Sequence, residues 1–69
     1  MTRKDYQLIA KAICDARAVV ARESDNPEVI GGANAGFYEL ARILSARFFE
    51  ENPRFDDNKW MIATETLHN

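Results

Sequence analysis

The sequence predicts an all-α fold, a small three-helix domain in which a helical hairpin is followed by a short C-terminal helix. Three observations carry that expectation. Apolar residues recur at helical spacing over residues 3–22 and again over residues 37–48. Each stretch is bounded by a capping residue or a proline. No run alternates apolar and polar residues as a half-buried strand does, which leaves helix-on-helix packing as the way to build a core.

Thr2 is a good N-cap, and Asp5 stands three residues later, so the chain opens on a capping box with Asp in place of the preferred Glu. The first helix is expected from about Arg3 to Arg22, with Arg17 and Arg22 suited to the negative end of its dipole. Successive residues turn by about 100°, which gathers Tyr6, Ile9, Ala10, Ile13, Ala16 and Val20 on one side. Leu8, Ala12 and Val19 form a second stripe about 120–150° away, leaving Lys4, Gln7, Lys11, Cys14, Asp15, Ala18 and Arg22 for solvent. The apolar arc is about 200° wide, more than one partner helix covers.

Residues 23–36, "ESDNPEVIGGANAG", read as a flexible connector. Asn26 as cap and Pro27 at the first position can open a short helical turn, but Gly31 and Gly32 argue against a long continuous helix. The stretch lacks the preceding strand and the Lys-Ser/Thr ending of a phosphate-binding loop. The second helix is expected from Ala33 or Ala35 to Glu51, with Phe37, Leu40, Ala41, Leu44 and Phe48 facing the core. Tyr38 and Phe49 point about 110° from that face, with Ser45 between them. They either close the core edge against the third helix or form an exposed aromatic strip.

Pro53 stops the second helix. Asp56 or Asp57 then caps a third helix running through about Leu67, with Trp60, Ala63, Thr64 and Leu67 inward and Met61 and Ile62 at its flanks. If Asp56 is the cap, Phe55 and Trp60 stand where a hydrophobic staple places them. The segment "ENPRFDDNKW" is therefore first a turn between two helices.

A chain of 69 residues and 7.9 kDa makes one domain, residues 1–69. Such a domain exposes roughly 4,400 Å² when folded and buries only about 60% of its unfolded surface. Small domains compensate with disulfides, metals or partners. The single cysteine, Cys14, excludes an internal disulfide, and no Cys/His spacing suits zinc. No metal or cofactor is expected, which leaves tight packing or a homodimer. The exposed stripes, Leu8, Ala12, Val19, Tyr38 and Phe49, are the expected interface. One cysteine, no signal peptide and no apolar run of membrane-spanning length fit the cytoplasm and argue against a membrane role.

The formal charge of −2 is unevenly spread, +3 over residues 1–22 and −5 over residues 23–69. Arg3, Lys4, Lys11, Arg17 and Arg22 form a candidate basic face, the basis for an alternative reading as a small nucleic-acid-associated regulator. Nucleic acid remains the weaker expectation, since the first connector is too long for a helix-turn-helix and Glu39, Glu50 and Glu51 offset Arg42, Arg47 and Arg54. Catalysis is not expected. Cys14 has no histidine beside it and lies mid-helix, and His68 is too near the end of the sequence to be held in position. Glu50, Glu51, Asp56 and Asp57 match no calcium loop. The turn residues Arg54, Asp57 and Lys59 are instead candidate partner contacts.

The opening "MTRKDYQLIAKAI" and the later "LARILSARFFEENPRFDDNKWMIA" resemble a group of very small proteins encoded by phages, prophages and other mobile elements. The matching positions are Met1 to Ile9, with Asn52, Pro53, Arg54, Phe55, Asp56 and Trp60, and they span roughly half of the chain. The chain departs from the group at its end, where Thr64 to Asn69 replaces a short Ala-Cys-Gly-like finish, and in its "GGANAG" stretch. The resemblance implies a phage or mobile-element accessory protein acting in a bacterial host by binding a host, defence or phage protein, with no implied chemistry.

Overall fold

The computed structural model describes residues 1–65 and forms three helices: α1 (Arg3–Glu23), α2 (Pro27–Glu51) and α3 (Asp57–Thr64). It is an all-α, three-helix domain. α1 and α2 form the hairpin, and α3 lies along one end of it. Among the described residues no helix is long and apolar enough to cross a membrane.

Each helix begins on a satisfied cap. The Thr2 hydroxyl accepts the Asp5 amide at 3.3 Å and the Asp5 carboxylate accepts the Thr2 amide at 3.0 Å, which completes the capping box. Asn26 Oδ1 accepts the Glu28 amide at 2.9 Å, with Pro27 at the first position of α2. Asp56 Oδ1 accepts the Lys59 amide at 3.1 Å and fixes the start of α3. Between α2 and α3, the Asn52 side chain and carbonyl accept the amides of Arg54 and Phe55 at 3.1 and 2.9 Å, folding the Pro53–Arg54 turn tightly.

The largest departure from expectation is at residues 23–36. The connector is only Ser24–Asn26, and α2 starts at Pro27 rather than Ala33 or Ala35, running unbroken through Gly31, Gly32 and Gly36. None of these glycines has a positive φ, so none makes a turn. The Asn26–Pro27 start signal nucleates the helix, and once nucleated, each added residue gains a hydrogen bond for little extra entropy. That propagation outweighs about 1 kcal/mol per glycine.

The core is centred on Ala10 and Ile13 of α1, Ala41 and Phe48 of α2, and Trp60 of α3. Tyr6, Phe48, Phe55 and Trp60 form a ring cluster with centroid separations of 4.9 to 6.0 Å in edge-to-face and tilted pairs. Each such pair adds about 0.5–1.5 kcal/mol beyond its buried area. Phe55 and Trp60 meet as the staple geometry requires, with Asp56 as the cap.

Phe37, Ala41, Leu44 and Phe48 face the core as expected, and the α2 core face departs from expectation at Leu40 and Ser45. Leu40 is exposed, and Ala41 and Ser45 are buried. The cause is Trp60, whose indole N–H donates to the Ala41 carbonyl at 2.8 Å. The ring reaches the helix backbone only over small side chains, so α3 docks on the Ala41–Ser45 surface. Trp60 and Thr64 are the buried residues of α3, while Ala63 is exposed. Leu67 and His68 lie outside the described residues. α3 runs parallel to α1, from Phe55 beside Tyr6 to the Glu65 carbonyl, 3.7 Å from Cys14 Sγ. Cys14 is therefore half-buried under the end of α3 rather than on the open polar face.

Candidate interaction surfaces

Two surfaces stand out once the helices are placed. The first is an apolar groove between α1 and α2 on the side away from α3, lined wholly by apolar residues that include Leu8, Ala12 and Ala16 of α1 and Phe37, Leu40 and Leu44 of α2. Leu8 is 70% exposed and Leu40 46% exposed, although both are aliphatic. Val19 lies along the same stripe of α1 and Ile43 one turn beyond Leu40, both exposed. Leu8, Ala12 and Val19 thus share one open face, with Leu40 and Ile43 as members that helical phase had assigned elsewhere or passed over. Tyr38 and Phe49 are exposed too, but they sit on the far flank of α2, more than a quarter turn from Leu40. The five candidate interface residues therefore form two surfaces.

The exposed area of the chain is 5217 Å². A compact monomer of this mass exposes about 4,400 Å². The molecule is a rod of 40 × 18 × 18 Å, and the long two-helix hairpin accounts for the difference.

The candidate basic face does not hold together. Lys4, Lys11 and Arg22 lie on one side of α1, where Lys11 is held by Asp15 at 3.4 Å. Arg17 turns toward the core side, half-buried, and its Nε finds no hydrogen-bond partner among the described residues. Arg3 lies about a quarter turn round α1 from Lys4 and lines a second surface, a groove of about 710 Å³ at the start of α1.

That second groove lies between the first turns of α1, the Pro53–Arg54 turn and α3. Its lining includes the buried or half-buried rings of Tyr6, Phe55 and Trp60 and the exposed cations Arg3, Arg54 and Lys59. Among the turn residues expected to meet a partner, Arg54 and Lys59 line it, whereas Asp57 does not. The ion pairs among the described residues are Lys11–Asp15, Arg42–Glu39 and Arg47–Glu50, so Arg3, Arg54 and Lys59 are in none of them. Asp56, the acidic residue on the lining, already uses one oxygen to cap α3. Sequence reading assigned Arg3 and Arg54 to different features. No periodicity argument joins residues 51 positions apart; what joins them is the Tyr6–Phe55 ring contact.

Two exposed carboxyl groups are held low by hydrogen bonds. The Thr2 amide and hydroxyl hold the Asp5 carboxyl below its ordinary value, and Arg42 does the same for Glu39 by hydrogen bonding and charge. Comparison of the chain with protein-family models, with curated proteins and with solved structures finds no match in any of the three.

Proposed function

We propose that this chain is a non-enzymatic accessory protein of a phage or mobile element, working in the bacterial cytoplasm by protein–protein contact. Its partners are a second copy of itself, through the open face of the α1–α2 hairpin, and a host, defence or phage protein that it modulates. The carrying observation is the wholly apolar groove containing Leu8, Ala12 and Leu40. A groove of that composition gains from burial at about 25 cal/mol per Å². The dispersal of the α1 cations, with Lys11 paired and Arg17 turned inward, weighs against the nucleic-acid alternative.

Light scattering across a dilution series tests the self-association. The wild type is expected at twice the monomer mass, and Leu8→Glu or Leu40→Glu at the monomer mass with an unchanged helical circular-dichroism spectrum. A monomeric wild type, or a dimer indifferent to both substitutions, sinks the assignment of this face.

A further inference from the structure

We propose that the groove at the start of α1 binds a short acidic peptide segment of a partner protein, with carboxylates meeting Arg3, Arg54 and Lys59 and one apolar residue seated against the aromatic lining. This extends the reading of the chain as a contact protein but uses a different surface from the hairpin face.

The first argument is the placement of the cations against local helix energetics. Arg3 is the first residue of α1 and Lys59 is in the first turn of α3, both at the positive end of a helix dipole, where a cation is unfavourable. Local choices that oppose helix stability with no compensating contact mark sites of function. Here the compensation is missing, since neither side chain pairs with a described acid. Because α1 and α3 are parallel, both helix starts lie at the same end of the rod and reinforce the positive field of the three side chains.

The second argument is charge complementarity and extent. The groove carries Arg3, Arg54 and Lys59 against Asp56, a local excess of positive charge on a chain whose formal charge is −2. The surroundings are correspondingly acidic, with Glu50, Glu51 and Asp57 on the elements that frame it. A nucleic-acid duplex carries about one charge per 1.7 Å and spreads over such surroundings, so it meets repulsion beyond the groove. A peptide of a few residues does not. Arg54 offers the planar fork that takes a carboxylate in bidentate fashion.

The test uses the full chain, labelled with nitrogen-15, titrated with a five-residue peptide of glutamate and aspartate around one central leucine. Amide shifts are expected to concentrate at Arg3, Gln7, Arg54 and Lys59. The glutamine/asparagine version of the peptide, and the protein variant Arg54→Gln/Lys59→Gln, are each expected to bind about ten-fold more weakly. Both substituted residues are exposed, so the variant keeps its fold. Equal binding of the neutral peptide, shifts centred away from the groove, no shift at millimolar peptide, or tighter binding of a single-stranded oligonucleotide of equal charge overturns the proposal. The shifts are read residue by residue whatever the oligomeric state, so a monomeric wild type does not bear on this result, nor a silent groove on the hairpin face.

Discussion

The two ends of this rod are built on different terms. At the end formed by the start of α1 and the end of α2, three helices meet and four rings interlock, with Trp60 hydrogen-bonded to the α2 backbone. At the hairpin end two helices pack alone, and Gly31, Gly32 and Gly36 sit in α2 where an added Cβ meets nothing within 4 Å. α3 has eight residues and spans about 12 Å, against about 37 Å for the 25 residues of α2, so it covers only part of the hairpin. The contrast teaches that α2 is one helix by hydrogen bonding but two regions by packing. Its first part is held by its cap and by α1, and its last part by a layered core.

The sharpest way to break the comparison is at the ring cluster. Trp60→Ala is expected to cost about 3–5 kcal/mol, most of what a domain of this size has, and to abolish the cooperative thermal transition seen by circular dichroism. A loss below about 1 kcal/mol in urea unfolding contradicts the layered-core account. At the other end the sign reverses. Gly32→Ala and Gly36→Ala are each expected to stabilise the chain by about 1 kcal/mol, because a methyl group there meets open space and alanine favours the helix. A melting temperature raised by about 4–8 °C for each substitution is the readout. Unchanged or lowered values show that these glycines serve a close approach.

Smaller effects come from the caps. Asp56→Ala removes the acceptor for the Lys59 amide and is expected to cost about 1 kcal/mol, read as a lowered urea midpoint. The Asp5 carboxyl is held below its ordinary value by its hydrogen bonds to Thr2. Its contribution is therefore complete above the unfolded value of about 4 and is lost as pH falls through the lower folded value. Acid titration followed by amide shifts is expected to show fraying of Thr2–Tyr6 below about pH 4, absent in Asp5→Asn. A fraying that persists in that variant contradicts the assignment.

How much was legible in the sequence follows the same division. Thr2, Asp5, Asn26, Pro27 and Asp56 were readable as caps because capping is local chemistry fixed within three residues. The all-α architecture and the Phe55–Trp60 staple followed from them. The continuity of α2 is not legible from glycine propensity alone, because it rests on propagation from a strong start at Asn26–Pro27. The α2 core face was legible at Phe37, Ala41, Leu44 and Phe48 but not at Leu40 and Ser45, for a tertiary reason: periodicity sends the larger residue inward, whereas Trp60 reaches the Ala41 carbonyl over small side chains. For the candidate surfaces, the Leu8–Ala12–Val19 stripe was visible from helical phase alone. The groove of Arg3, Arg54 and Lys59 was not, because it exists only once the two ends of the sequence are brought together by Tyr6 and Phe55.

The position of Cys14 makes the lone thiol a reporter on the end of α3. Its sulfur is half-buried beside the end of α3, 3.7 Å from the Glu65 carbonyl, so its reactivity toward a thiol reagent depends on how closely that helix end sits on α1. Its labelling rate, set against that of the same thiol in urea, reads how strongly the end of α3 shields it. The native chain thus carries, without any engineered probe, a reporter on the contact between the end of α3 and α1.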